Sequence, residues 1–138
     1  MCAFCDIVSG STPAQVVHRD ETTMSFLDVR PLFPGHTLLI PLDHHETLHD
    51  LPPELIEPFF STARLLSEAV RSAMGAHGSF VAINNVVSQS VPHLHIHIVP
   101  RVPKDGLRGF FWPRKKYGSD GEMRATAAAI SEEFVSMR

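Results

Sequence analysis

The chain has 138 residues, of which 43% are hydrophobic and 20% are charged, so we expect one compact domain over residues 1–138 rather than two domains or a disordered chain. The formal net charge of −3 argues against a protein that coats nucleic acid. No apolar run approaches the roughly 20 residues that a membrane-spanning helix needs, so neither nucleic acid nor a membrane is an expected partner.

The N-terminal segment contains both cysteines of the chain, spaced Cys2-x-x-Cys5. It lacks the basic region and apolar stretch of a secretory signal, which predicts a cytoplasmic protein. In a reducing compartment such a pair indicates a metal or redox site rather than a structural disulfide. A short helical turn is expected near Phe4–Val8, followed by a loop that ends at Pro13.

Three strands are predicted next. Gln15–Arg19 and Thr23–Asp28 are the first two, and Asp20-Glu21 forms the turn between them. Prolines and a glycine mark the loop that follows, and His36–Pro41 is the third strand.

A long helix is predicted after Asp50, which we expect to be its N-cap. Pro58 is expected to kink this helix or to delay its regular part. Apolar residues recur along the helix every three or four positions and form one stripe, composed of Leu55, Phe59, Ala63, Leu66, Val70 and Met74. The segment from Gly75 to Gly78 ends the helix.

Two more strands and a final helix complete the pattern. The strands are Ser79–Asn84 and Leu94–Pro100, and the helix begins near Ser119-Asp120. One face of that helix is apolar and carries Met123, Ala127, Ile130 and Phe134. Strands, a long helix, further strands and a terminal helix predict an α+β domain with an antiparallel sheet.

The segment between residues 101 and 116 is basic and aromatic. It holds six of the twelve basic residues, namely Arg101, Lys104, Arg108, Arg114, Lys115 and Lys116. Two interpretations remain open, a solvated loop or a flap that attracts a polyphosphate. The same segment contains Phe110-Phe111-Trp112-Pro113, of which at least two aromatic rings are expected to pack in a core.

Three histidines alternate with apolar residues in the run His93-Leu94-His95-Ile96-His97-Ile98-Val99. Successive side chains of a strand point to opposite faces, so the three imidazoles share one face about 7 Å apart and the apolar side chains face the core. Such a row is consistent with a set of surface histidines, with a metal site, or with one catalytic imidazole whose neighbours fix its tautomer and charge.

The same seven residues match the His-φ-His-φ-His-φ-φ signature, in which φ is apolar, of the histidine triad (HIT) superfamily of nucleotide hydrolases and transferases. The resemblance runs from Cys2 to about Arg101. It includes the blocks Phe26-Leu27-Asp28, Pro34-Gly35-His36, Pro41-Leu42-Asp43-His44 and Gln89-Ser90-Val91. It implies a HIT-like α+β fold whose antiparallel sheet continues across a homodimer.

The resemblance implies four catalytic residues. His95, the middle histidine, attacks the α-phosphate and forms a nucleotidyl-histidine, which water or another acceptor then resolves. His97 binds phosphate oxygens and His36 supports the same site. Ser90 donates a hydrogen bond to the leaving group. No cofactor is needed for this chemistry.

The resemblance also implies a purine nucleotide site, with AMP as the product. Asp28 matches the acid that accepts from the ribose hydroxyls, and Asn84 and Gln89 match amide residues near the phosphate or leaving group. The connection between these two amides is shorter here than in typical members. The base pocket is matched by four apolar residues that also fit core positions, Phe4, Ile7, Phe26 and Val29.

Two thiolates need two further ligands to complete a closed tetrahedral zinc site. Many bacterial-type members carry the cysteine pair and bind structural zinc with two histidines. The resemblance therefore implies the ligand set Cys2, Cys5, His44 and His93, although His45 could replace His44.

Three functions remain open at this point. The first is hydrolysis of a nucleoside phosphoramidate or acyl-nucleotide, as in the Hint branch, which Ser90 and the cysteine block favour. The second is hydrolysis or phosphorolysis of a dinucleoside polyphosphate, as in the Fhit branch, which the basic segment favours. The third is a non-catalytic nucleotide-binding scaffold, against which the intact histidines argue.

Overall fold

The computed structural model describes residues 2–107 and 114–138, which fall into two compact units, Met1–Asp105 and Gly106–Arg138. The aromatic cluster predicted at positions 110–113 and one basic residue, Arg108, lie outside the described residues. The prediction of one domain over residues 1–138 stays a prediction.

The first unit is an α+β structure with an antiparallel sheet, which confirms the predicted fold class. Its elements are α1 (Ala3–Ser9), β1 (Val16–Arg19), β2 (Thr23–Leu27), β3 (Thr37–Pro41), a 3-10 turn (Leu48–Asp50), α2 (Pro53–Ala73), β4 (Gly78–Ala82) and β5 (Ile96–Arg101). The five strands are ordered β1-β2-β3-β5-β4 and every neighbouring pair is antiparallel. The predicted strand ends differ from these by only one or two residues.

The two faces of the sheet are covered by different helices. The α2 stripe packs on one face, where the buried cluster consists of Leu39, Leu51, Phe59, Ala63, Leu66, Val70, Leu94, Ile96 and Ile98. On the other face, α1 contributes to a second cluster, made of Cys2, Phe4, Met24, Phe26, Leu38 and Ile40. The short helix α1 therefore lies on the face of the sheet opposite α2.

The start of α2 differs from the prediction. Its N-cap is Pro52, and Asp50 instead closes the preceding 3-10 turn, where its carboxylate accepts from Thr47 N at 3.0 Å and Thr47 Oγ1 at 2.8 Å. A carboxylate acts as an N-cap by accepting from amides two or three residues ahead, and prolines at both 52 and 53 remove such donors. The regular helix starts at once at Pro53 and includes Pro58, so the proline does not delay it.

The described part of the second unit contains one helix, α3 (Asp120–Met137), which begins where the sequence predicts it. Its N-cap is Ser119, whose hydroxyl accepts from Glu122 N at 3.1 Å, and the Glu122 carboxylate accepts in turn from Gly118 N at 2.9 Å. No side chain along α3 is buried. Among the described residues, no helix combines the length and apolar character needed to cross a membrane.

Candidate active site

The histidine segment enters the sheet later than predicted. β5 begins at Ile96 rather than Leu94, because Leu94 N donates to the carbonyl of His45 at 2.6 Å instead of joining the β3–β5 ladder. The predicted alternation holds nonetheless. Leu94 packs in the cluster under α2, whereas the rings of His93 and His95 contact Phe4 of α1 on the opposite face.

His95 is held as a neutral imidazole with one free nitrogen. Its Nδ1 lies 2.7 Å from the carbonyl oxygen of His93. A carbonyl only accepts, so Nδ1 carries the proton and donates it, and Nε2 keeps its lone pair. The ring is 3% exposed, and this burial lowers the pKa of His95 below its usual value of 6.5. A neutral imidazole with an available Nε2 is the state that a nucleophile requires.

His36 and His97 form a hydrogen-bonded chain with a fixed direction. Leu32 N donates to His36 Nδ1 at 3.1 Å, so His36 carries its proton on Nε2. That Nε2 lies 3.0 Å from His97 Nδ1 and donates to it, so the neutral His97 ring carries its proton on Nε2, which is its donor. Burial, together with the neighbouring His95 and His36, lowers the pKa of His97 to about 4. His97 is therefore a neutral hydrogen-bond donor at pH 7.

The glycine of the Pro-Gly-His block has a structural reason. Gly35 has a φ of 97°, a left-handed conformation that side chains disfavour. A Cβ at this position would also lie 2.6 Å from Met74 Cγ. The turn that delivers His36 to the site therefore depends on glycine.

A cavity of ≈ 330 Å³ lies beside these imidazoles. Its lining includes eight residues that the sequence assigned to the site, namely Phe4, Ile7, Phe26, Asp28, Val29, Ser90, His95 and His97. Polar groups thus adjoin an apolar wall, as is usual for small-molecule sites. Asp28 Oδ1 accepts a hydrogen bond from Arg30 N at 2.9 Å, and Asp28 Oδ2 lies 3.7 Å from His36 Nε2.

Three of the predicted residues do not line this cavity. His36 lies behind His97, as a support. Asn84 is partly buried and lies two residues after the end of β4. The Gln89 amide is occupied within its own loop, because Oε1 accepts from Val86 N at 2.9 Å and Nε2 donates to the carbonyl of Glu46. Nucleotide contacts by Asn84 and Gln89 stay predictions.

Asn85 has a structural role that its sequence position does not indicate. Its Oδ1 accepts from Leu48 N at 2.8 Å, so two amide side chains, Asn85 and Gln89, attach this loop to the segment before α2. The sequence alone does not show whether a polar residue after a strand stabilises a loop or binds a ligand.

The loop that precedes Ser90 contains two non-glycine residues in the left-handed region, Val86 at φ 69° and Ser88 at φ 62°. A β-branched residue rarely adopts this conformation. Backbone strain of this kind concentrates at functional sites, and here it lies within four residues of a cavity-lining hydroxyl.

Replacing Val86 with glycine should stabilise the protein by about 0.5–1 kcal/mol. The left-handed conformation costs an L-residue about 1–2 kcal/mol, whereas glycine loses about 0.5–1 kcal/mol in chain entropy. Val87→Gly is the matched control, because Val87 is equally exposed but has no positive φ, and it should destabilise the protein. Urea unfolding measures both changes, and equal destabilisation by the two variants would contradict the argument.

Four side chains that could hold a metal ion converge beside the histidine segment. Cys2 Sγ lies 3.4 Å and Cys5 Sγ 3.6 Å from His93 Nδ1, and Cys5 Sγ lies 3.4 Å from His44 Nδ1. A tetrahedral zinc ion with ordinary bond lengths places sulfur and nitrogen ligands about 3.5 Å apart. We call Cys2, Cys5, His44 and His93 the metal cluster.

The hydrogen bonding of His93 also fits a metal ligand. Its Nε2 donates to the carbonyl of Pro41 at 2.9 Å, which places the lone pair on Nδ1 facing the two thiols. His45, the alternative to His44, does not join the cluster. Its buried Nε2 has no hydrogen-bond partner among the described residues.

A second group of possible ligands, Asp28, His36 and His97, does not fit a metal in the same way. The Nδ1 of His36 accepts from a backbone N–H, so a neutral ring has its proton on Nε2 and no lone pair there. Metal-bound histidines instead donate from their second nitrogen. These three residues instead lie together around the His36–His97 hydrogen bond.

Comparison with known proteins gives consistent matches. The HIT domain model matches residues 9–104. The adenylylsulfatase HINT3 of Arabidopsis thaliana is 36% identical over 108 residues, which are 77% of this chain and 55% of that protein. The adenosine 5'-monophosphoramidase hnt1 of Schizosaccharomyces pombe is 31% identical over 135 residues, 96% of this chain and 98% of that protein. A Zn-bound histidine triad family protein from Mycobacterium smegmatis has a TM-score of 0.72 at 35% identity, covering 98% and 96% of the two chains.

Proposed function

The chain belongs to the HIT domain family, and from this premise we propose that it is a nucleotide hydrolase or nucleotidyltransferase with His95 as its nucleophile. The substrate is a purine nucleotide conjugate of the phosphoramidate or acyl-AMP type, and AMP is released. Two relatives named for hydrolysis of AMP conjugates support this class of activity. The observation that carries the proposal is the tautomer of His95, whose Nδ1 is bound to a carbonyl while Nε2 is free.

The proposed reaction has two displacements. His95 Nε2 attacks the α-phosphorus, an N–P bond forms, and the bond from phosphorus to the leaving group breaks. The imidazole becomes positively charged, and the carbonyl that accepts its Nδ1–H stabilises that charge. Water then attacks phosphorus and the N–P bond to His95 breaks. The proton that water loses goes to solvent and balances the proton that the leaving group takes up from solvent as it departs, so the products are AMP and the leaving group.

The neighbouring residues have separate tasks in this proposal. His97 donates from Nε2 to a non-bridging phosphate oxygen, and His36 keeps His97 in the donor tautomer. Ser90 lines the cavity and donates a hydrogen bond to the departing atom. Asp28 accepts from the ribose hydroxyls, and the apolar lining holds the base by its faces.

The metal cluster fits zinc, held by Cys2, Cys5, His44 and His93. When bound, zinc supplies structural cross-linking and takes no part in the two displacements. The Zn-bound relative supports this metal. Fixing the cluster also fixes His93, the residue whose carbonyl orients the nucleophile.

A homodimer is part of the proposal. β4 is the last strand of the sheet within the described residues, and Val81 on β4 and Phe60 on α2 are exposed apolar residues. Pairing of two β4 strands would continue the sheet across the dimer. Sedimentation equilibrium should then give twice the mass of one chain. The cytoplasmic location also remains a proposal.

The test compares two substrates, adenosine 5'-phosphoramidate and a diadenosine polyphosphate, in separate reactions. Faster AMP release from the phosphoramidate is expected, and acid quenching should trap AMP covalently on the peptide that contains His95. Preference for the dinucleotide would replace this proposal with the Fhit-type activity. Binding of AMP without turnover of either substrate would favour the non-catalytic scaffold.

A further inference from the structure

One short helix contributes to both the metal cluster and the cavity. Cys2, the N-cap of α1, and Cys5 belong to the metal cluster. Phe4 and Ile7 of the same helix line the cavity. Because α1 has only seven residues, it cannot move at one of these sites and stay fixed at the other.

Phe4 makes the closest link between α1 and the reacting group. Its ring centroid lies 5.1 Å from that of His95 and 5.3 Å from that of Phe26, both in edge-to-face geometry. Such aromatic contacts depend on orientation. A shift of α1 therefore changes both the apolar wall of the cavity and the packing on the nucleophile.

His93 provides a second link. Its ring is attached on both sides, with Nδ1 facing the cysteines of the metal cluster and Nε2 donating to the Pro41 carbonyl. Its backbone carbonyl accepts the Nδ1–H of His95. The position of the ring in the metal cluster is thus tied to the position of the acceptor that fixes the His95 tautomer.

Two other kinds of contact attach α1 to the sheet. Arg19 Nη1, an exposed group, donates to the carbonyl of Val8 at 3.1 Å. Apolar side chains of α1 also pack in the cluster around Phe4 and Phe26. Metal ligation would add two connections, one from α1 to His44 and one to His93, and would restrict the position of α1 further.

We propose that metal binding in the metal cluster and nucleotide binding in the cavity are reciprocally coupled, with Phe4 and His93 as the positioning residues. This inference rests on the proposed function, because it requires the cavity to bind a nucleotide. Coupling between two sites is mutual, so each ligand raises the affinity of the other by the same factor. Since both links are direct, we expect a factor of about ten, within the usual range of about 5–150.

The test measures both sides of the coupling on the full chain. Zinc affinity is determined by competition with a chromophoric chelator, with and without saturating AMP, and AMP affinity is determined on zinc-loaded and zinc-depleted protein. The ratio of zinc affinities with and without AMP and the ratio of AMP affinities with and without zinc should both be about ten and should agree. The zinc titration remains informative even if zinc-depleted protein loses the structure of α1. In that case AMP should increase the ratio of zinc affinity with AMP to zinc affinity without AMP.

Two variants locate the coupling. Phe4→Leu keeps the metal ligands and an apolar side chain but removes the ring contact with His95. The ratio of zinc affinity with AMP to zinc affinity without AMP should therefore fall towards one. Val29→Ala is the matched control, since Val29 lines the cavity but lies outside α1. It should change AMP affinity without changing the ratio.

The outcomes separate this inference from the proposed function. If AMP binds but zinc affinity is the same with and without it, the coupling is overturned and the proposed function stands. If AMP does not bind the zinc-loaded protein, both are overturned. A Phe4→Leu variant that keeps the full ratio would overturn the role assigned to Phe4.

Discussion

The His95→Ala variant is expected to lose at least about 10⁴-fold in kcat/KM for AMP release from adenosine 5'-phosphoramidate, since loss of a nucleophile removes the covalent route altogether. AMP affinity should change by no more than a few-fold, because the base and ribose contacts are assigned to other residues. Initial rates measure the first quantity and isothermal titration the second.

His77→Ala is the matched control for this variant. His77 is an exposed histidine at the start of β4 and belongs neither to the cavity lining nor to the metal cluster. Its rate should equal that of the unmodified protein. Rates within tenfold of normal in His95→Ala would exclude His95 as the nucleophile and would require a different attacking group.

His97→Ala separates phosphate binding from nucleophilic attack. Removing one donor to a developing phosphate charge is expected to cost about 10²–10³-fold in kcat. The covalent intermediate should still form, because His95 keeps its carbonyl partner. A loss as large as that of His95→Ala, with no trapped intermediate, would instead place His97 in the attack itself.

The parts of this site that depend on periodicity could be predicted from the sequence. Alternation along the strand placed His93, His95 and His97 on one face, and the helical stripe of α2 identified the helix that covers the other face. Both patterns repeat over several residues, so an error of one or two residues at an element end, as at Leu94, does not change which face a side chain occupies.

The tautomers could not be predicted, because they depend on backbone groups that the fold brings in from elsewhere. The proton of His95 is placed by the carbonyl of His93, and that of His36 by the amide of Leu32. Neither backbone group has a sequence signature. The same reason explains Gln89, whose amide is occupied by Val86 N and the Glu46 carbonyl, partners that only the loop conformation provides.

The sequence also could not distinguish His44 from His45 as the metal ligand. Both are imidazoles after Pro41, and a sequence outside a regular strand does not define which one points at the cysteines. The fold decides because Leu94 N donates to the His45 carbonyl, which fixes the backbone at this point. His44 Nδ1 then lies 3.4 Å from Cys5 Sγ, and His45 is not part of the metal cluster.

The unmodified protein, purified without chelator, should contain about one zinc ion per chain, as one closed four-ligand site requires. His44→Ala should contain almost none after dialysis, whereas His45→Ala should keep its zinc, because only His44 lies in the metal cluster. Elemental analysis of the two neighbouring variants, prepared identically, measures this contrast.

The same pair of variants reports on stability. A ligand that binds only the folded state stabilises it by about 4 kcal/mol when its concentration is about 1,000 times Kd. Zinc should therefore raise the free energy of unfolding of His45→Ala by an amount of this order and leave that of His44→Ala nearly unchanged. Loss of zinc from His45→Ala alone would reverse the ligand assignment, and zinc absent from every form would show that the metal cluster serves as unligated thiols and imidazoles. In that last case α1 would be held by the packing of Phe4 and by the hydrogen bond from Arg19, and the nucleophile would still keep its carbonyl partner.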